Sequence, residues 1–367
     1  MSAPLAPQVF SSASFTSLVR VLSDDDAAEV VALERAPFAD DHTIARYERL
    51  RARWTGPKGR GERLFLLKAL PNPTWSEAIR PELPAPTEVL MIEGDLSQSL
   101  TSVITDSAVA AGRRTADRPA WVLYDALPES FIDEETEADV ETIHRIADGT
   151  AALHARYWNA ERAVEQAYPW LPRFSEWAQA HCRFLDRLMA DEPPGPYGQE
   201  ALRYRPTLVK SLRRFWKAAS PAQQSRLQQI LHDPSPLLDA TLAGPQAIIN
   251  GDWRAVQMGF WEEKLVVREW SYIQYGPVAW DICTFLSASP ELIDPASFME
   301  RYLASLRARV PDLDPATEQA LVRTFDLVRV LDLMLSPNRW QLLEEYTRET
   351  TQSWLDTLIA LLDEANV

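Results

Sequence analysis

The sequence predicts an α+β fold. A small strand-rich N-terminal lobe would span residues 1–127 and a larger, mainly helical C-terminal lobe residues 128–367. Three observations carry this. Apolar and polar residues alternate in runs of strand length over the first third of the chain. From about residue 134 the apolar positions recur instead at three- and four-residue steps, the period of a helix. And 367 residues with 46% hydrophobic content are enough for two cores rather than one.

The elements follow in order. "EVVALERA" alternates as a half-buried strand does, "TIARYERLRARW" is a second strand and "RLFLLKAL" a third, with "GPKGRGE" as the hairpin turn between the last two. "PTEVLMIEGDL" supplies a short helix, and "RPAWVLYDALP", bounded by prolines, a further strand. The acidic run from Asp133 to Glu141 then crowds the start of a helix through "DEETEADVETIHRIADGTAALHARYW", where the helix dipole favours negative charge. "RFSEWAQAHCRFLDRLMA", "TEQALVRTFDLVRVLDLML" and "SWLDTLIALLDEA" are further amphipathic helices, and "ADEPPGPYGQE" reads as a Pro/Gly loop. "QAIINGD" and "KLVVREW" are expected to pair as one short hairpin that carries Asp252 and Glu269.

Composition excludes several function classes. The formal net charge is −16, from 53 acidic against 37 basic residues, and nucleic-acid binding needs a basic face. The same balance favours a small cationic substrate. Cys182 and Cys283 have no metal-ligand spacing, and the five histidines form no zinc motif. No apolar run has the length of a membrane span, and the N-terminus lacks a signal-peptide pattern. The expected setting is cytoplasmic, with a small-molecule partner and neither nucleic acid nor membrane.

Phosphoryl transfer requires a lysine on the nucleotide phosphates, a carboxylate to hold that lysine, a base near the acceptor hydroxyl and oxygen ligands for Mg²⁺. Lys68 at the end of "LFLLK", Glu88 in the following helix, Asp252 in a glycine turn, Gln257 five residues on and Glu269 at the end of "KLVVRE" supply those types in that order.

"NGDWRAVQ", "VREW" and "GPVAWDI" resemble the catalytic phrases of the aminoglycoside phosphotransferase and choline kinase-like family, HGDFRxxN, (I/V)DW and GxPxxDL. "ALHARYW" resembles its LAxLHAxxW helix, and "LFLLK", "TEVLMIE" and "WVLYDAL" its lysine strand, glutamate helix and hinge strand. The resemblance runs over roughly residues 28 to 290. It implies a protein-kinase-like fold and an ATP- and Mg²⁺-dependent transfer to a hydroxyl of a small metabolite. Asp252 would be the base, with Arg254 and Asn250 beside it. Lys68 and Glu88 would serve the ATP phosphates and Asp125 the hinge. Gln257 and Glu269 would bind metal, and Asp281 would brace the loop.

Three positions depart from the family pattern. Asn250 stands for its histidine, Gln257 for its metal-binding asparagine and Glu269 for its metal-binding aspartate. Both metal arms are thus one methylene longer, about an ångström of extra reach. "ERAPFADDHTIA", where a phosphate-binding loop would lie, contains no glycine. Two other readings therefore stand beside the kinase: a pseudokinase-like binding protein, and a kinase-like fold in which Asp252 acts as general base without metal.

Overall fold

The computed structural model describes residues 12–38, 46–70, 73–100, 103–116, 118–125, 139–204, 208–261, 264–267, 269–288, 294–335 and 348–364. The glycine-free stretch from 39 to 45 and the acidic run from 133 to 138 lie outside them. The chain divides into two compact units. The first comprises residues 1–74, 84–131 and 258–268, the second residues 75–83, 132–257 and 269–367. A single cut at 127/128 therefore misses two exchanges: 75–83 belongs to the helical unit and 258–268 to the strand-rich one.

Binary patterning builds the first unit. In β2 (Arg46–Gly56), Leu50 and Ala52 are buried while Arg49, Arg51 and Arg53 face out, the two-residue period of a half-buried strand. β1 (Glu29–Phe38), β2, β3 (Gly59–Leu70), β5 (Ala108–Gly112) and β6 (Ala120–Asp125) form a five-stranded sheet in the order β1-β2-β3-β6-β5. All its pairings are antiparallel. Only Pro57 and Lys58 make the turn between β2 and β3, since "GRGE" is already strand. One face of the sheet is closed by α1 (Ser12–Ser23), where Phe15 and Val19, four residues apart, meet Leu50, Ala52, Phe65, Leu67 and Leu123. Phe15 and Phe65 contact edge to face at 5.2 Å. The sequence reading missed α1 because its twelve residues carry five serines and threonines, which weaken a helical signal.

"PTEVLMIEGDL" gives two helices rather than one. α3 (Thr87–Glu93) stops at Gly94 and α4 (Asp95–Leu100) follows. α2 (Trp75–Ile79) belongs to the second unit.

The second unit is mostly helix. α5 (Val140–Arg156) opens on Asp139, whose carboxylate accepts from Thr142 N at 2.7 Å. It packs along α13 (Pro295–Arg309), which has Asp294 as its cap and proline in its first turn. Between them come α6 (Glu161–Ala167), α7 (Phe174–Met189), α8 (Gly195–Tyr204), α9 (Leu208–Ala218), α10 (Pro221–His232), α11 (Ser235–Leu242) and α12 (Val278–Ala288). α14 (Pro315–Leu335) and α15 (Arg348–Glu364) complete the unit. The expected Pro/Gly loop "ADEPPGPYGQE" turns helical at Gly195, because its prolines all lie before or in the first turn of α8, where a missing N–H costs nothing. No helix among the described residues is long and apolar enough to cross a membrane.

The expected hairpin is not formed. β7 (Gln246–Ile249) pairs with β10 (Gln274–Pro277). β9 (Lys264–Val267) pairs with β8 (Met258–Trp261) and with β4 (Thr105–Asp106), in a sheet of order β4-β9-β8. The tight Trp261–Lys264 register lets β8 and β9 close on each other. That leaves "QYGP", which carries no strong β signal, to satisfy the backbone of β7. Nor does either candidate side chain sit at a strand terminus: β3 runs two residues past Lys68, and β9 ends at Val267, before Glu269.

Candidate active site

Asp252 is presented by a loop whose backbone is tied down at each step. β7 is buried at Ala247, Ile248 and Ile249, so the chain leaves the core immediately before Asn250. Asp281, fully buried on α12, accepts from Asn250 N at 2.9 Å with one oxygen and from Gly251 N at 2.8 Å with the other. Trp280 Nε1 donates to Gly251 O at 2.9 Å. Gly251 has φ +85°, and a Cβ there would run into the carbonyl oxygen of Tyr272. Glycine is required at this turn by both conformation and space. Asn250 bridges the loop: its Nδ2 donates to Glu269 O and its Oδ1 accepts from Asp252 N at 3.1 Å. An amide does this with a donor and an acceptor at once, so asparagine in place of histidine leaves a well-tied loop.

The carboxylate of Asp252 is held on one side only. Oδ2 accepts from Arg254 Nη2 at 2.7 Å and from Gln257 Nε2 at 3.3 Å. Oδ1 has no hydrogen-bond partner among the described residues, and the side chain is 20% exposed. Burial opposes the charge on Arg254, but Asp252, then Glu269 and Tyr272, outweigh it and raise the guanidinium's pKa. A carboxylate fixed through one oxygen and open at the other is the arrangement a base needs toward an incoming hydroxyl.

The longer arms at Gln257 and Glu269 are placed differently. Gln257 closes a short 3-10 turn, Ala255–Gln257, and is buried. With its NH₂ on Asp252, its Oε1 is buried and has no partner among the described residues. An orphaned buried amide oxygen fits a hard cation. Glu269 is anchored by Ser271, which donates from Oγ at 2.6 Å and from N at 3.3 Å, both to Oε1. Among the described residues no three His, Cys, Asp or Glu side chains could hold a metal ion together. An amide oxygen and a carboxylate are donor types that suit Mg²⁺, which keeps waters and substrate phosphates as its other ligands.

The first unit contains the second cluster. Lys68 Nζ lies 2.6 Å from Glu88 Oε2, and Tyr124 on β6 donates to Glu88 Oε1. All three residues are buried. Asp125 binds Arg63 through both carboxylate oxygens and donates its N–H to Ser107 O at 2.7 Å. Any part it plays toward a nucleotide therefore falls to its carbonyl. The hydroxyl of Ser107 is buried with no partner among the described residues.

No family model matches the chain, and no curated protein does. Solved structures do. The chain is similar to the ethanolamine kinase of Plasmodium vivax at 9% identity over 91% of this chain and 82% of that one, with a TM-score of 0.52. It is similar to the choline kinase of Cryptosporidium parvum at 7% identity over 90% and 89%, with a TM-score of 0.50. The fold is that of the protein-kinase-like small-molecule kinases.

Within this kinase-like fold, sequence reasoning found Asn250, Asp252, Arg254, Gln257 and Asp281, and the structure links them through hydrogen bonds. Glu269 joins them through its main chain. It missed the partners that hold them: Tyr124 on Glu88, Arg63 on Asp125, Ser271 on Glu269 and Trp280 on Gly251. Trp280 and Ser271 lie one and two residues from a motif position. The others depend on strand register, with Arg63 entering β3 two residues before the Phe65–Asp125 pair.

Proposed function

We propose that the protein is an ATP-dependent phosphotransferase acting on a hydroxyl group of a small, cationic metabolite in the cytoplasm. The observation that carries this is Asp252, tied through Oδ2 to Arg254 and Gln257 while Oδ1 stays open on a loop braced by Asp281. In this reading the acceptor hydroxyl gives its proton to Asp252 as its oxygen bonds to the terminal phosphorus of ATP, and the bond to the ADP oxygen breaks. Lys68, held by Glu88, steadies the phosphates. Gln257 and Glu269 would hold Mg²⁺, which when bound neutralises charge on the phosphoryl groups. The names of the ethanolamine and choline kinases and the net charge of −16 support an amino-alcohol acceptor.

The test is ADP release in the presence of Mg²⁺ against a panel of amino alcohols and amino sugars, beside calorimetry with ATP. Acceptor-dependent ADP release supports the reading. ATP binding without ADP release on any acceptor favours the pseudokinase-like alternative, and turnover without Mg²⁺ favours Asp252 as a metal-free base.

A further inference from the structure

The helical unit holds a cavity that no part of the kinase reading uses. It encloses about 180 Å³ between α6, the chain leading into α7, β10 and Arg80. A single water needs about 10–15 Å³ of such space, so a small organic guest has room. The cavity is turned away from the Asp252 loop. Neighbouring residues of β10 point to opposite faces of the strand. A Cβ on Gly251 would meet Gln274 Nε2 at 3.0 Å, so Gln274 faces the catalytic turn. Tyr275 faces the other way, and it is Tyr275 that lines the cavity.

The lining has its donors engaged and acceptors to spare. Arg173 reaches Glu161 through Nη1, and Glu165 through Nη2 at 3.2 Å. Arg80 donates from Nη1 to Leu171 O at 3.4 Å and from Nη2 to Pro169 O at 3.2 Å. Glu161, Glu165 and Glu176, by contrast, each keep an oxygen with no hydrogen-bond partner among the described residues. On Glu176 it is Oε1, since Oε2 takes the Arg173 N–H at 2.8 Å. Tyr275 is only 5% exposed, and its hydroxyl has no side-chain partner among the described residues. Burial, with the Glu161 carboxylate adding to it, pushes this phenol up to about 12. It stays neutral and keeps lone pairs to offer.

These features select the guest. Three carboxylates against two guanidiniums leave a negative charge over, which repels an anion and attracts a cation. The spare oxygens need N–H donors, which a quaternary ammonium lacks. Val164 and Leu171, both nearly fully buried, give an apolar wall for a short alkyl chain. We infer that this cavity is a binding site for a primary alkylammonium ion, held by Glu176 Oε1 and the Tyr275 hydroxyl oxygen, on the face of β10 away from Asp252. The site stands independently of the phosphotransferase reading, since neither nucleotide nor acceptor enters it.

The experiment is nuclear magnetic resonance of the full chain carrying ¹³C in its tyrosine rings. Tyr275→Phe and Tyr168→Phe identify the signals of the two tyrosines that line the cavity. Propylammonium chloride is the probe and tetramethylammonium chloride the matched salt without N–H groups. We expect both ring signals to shift saturably with propylammonium and not with tetramethylammonium. Glu176→Gln keeps an oxygen for the Arg173 N–H but loses the charge, and should weaken binding about tenfold, because charge-assisted hydrogen bonds are the stronger ones. Asp252→Asn should leave the half-saturation point unchanged. No saturable shift, an equal response to tetramethylammonium, or parent-like affinity in Glu176→Gln would overturn the inference. Loss of the shift in Asp252→Asn would also overturn it, by moving the amine to the acceptor site. If Tyr275→Phe fails to fold, the Tyr168 signal and Glu176→Gln decide in the same way. A parent that releases ADP on no acceptor while the cavity still binds propylammonium overturns the phosphotransferase reading and leaves this site standing.

Discussion

Lys68 and Glu88 form a buried ion pair at 2.6 Å, with side chains only 2% and 1% exposed. Removing one partner leaves an uncompensated charge in a dry site, which costs about 3–5 kcal/mol. Lys68→Met and Glu88→Gln should each lower stability by that order in urea unfolding. The double variant should recover much of the loss, because it removes both charges. Additive losses would show that each side chain stabilises the unit through packing rather than through the other.

Gly251 occupies a left-handed conformation against the carbonyl of Tyr272. Gly251→Ala carries about 1–2 kcal/mol of backbone strain and must also push the turn away from Tyr272. Thermal unfolding should drop, and turnover should fall more than tenfold, since Asp252 is the next residue. Parent-like turnover in Gly251→Ala would mean that the loop geometry does not govern Asp252.

Much of this was legible in the sequence, and the limit lies where local pattern stops. The strands of the first unit show in the Leu50/Ala52 alternation, and the Asp252 loop shows because Asn-Gly-Asp leaves an apolar strand. The strand partners did not show. "QAII" and "KLVV" are both short apolar runs, and nothing local says that each pairs elsewhere, β7 with "QYGP" and β9 with "MGFW". The Lys68–Glu88 pair rested on motif order, whereas Tyr124 and Arg63 reach their carboxylates through tertiary register. The helical period of "ALHARYW" does not distinguish a packed His154 ring from a hydrogen-bonded one.

On the proposed reading Gln257 and Glu269 share one Mg²⁺, and their substitutions should then be non-additive. Gln257 reaches Asp252 with its NH₂ and leaves Oε1 unpartnered, while Glu269 is held by Ser271. Gln257→Asn alone, or Glu269→Asp alone, mixes two arm lengths and should raise the Mg²⁺ concentration for half-maximal turnover about tenfold. The double variant should recover toward parent, because sites sharing one ion couple. A Mg²⁺ titration of the four proteins checks this, and equal responses in all four would contradict a shared ion.

Asp139 caps α5, the helix that carries Thr150 and His154. Hydrogen bonds from Thr142 hold its carboxyl pKa below the ordinary 3.8. A depressed carboxylate pKa stabilises the fold above the unfolded value and loses that stabilisation as pH falls through the folded one. The stability difference between parent and Asp139→Ala should therefore be full at pH 7 and shrink as pH drops below about 3.8. Urea midpoints along that pH series measure it; a difference that persists unchanged in acid would show that the cap does not act through the charged carboxylate.

The central claim is that Asp252 removes the proton of an acceptor hydroxyl through its open oxygen. Asp252→Asn keeps the size of the side chain and its place on the loop but abolishes the base. The most direct measurement is phosphorus NMR of ATP with the best acceptor from the panel, parent against Asp252→Asn, with ATP affinity measured on both. The account predicts a new phosphomonoester resonance and ADP from the parent, a rate at least 100-fold lower in Asp252→Asn, and ATP affinity unchanged within about twofold. Equal phosphoester formation by the two proteins would contradict it.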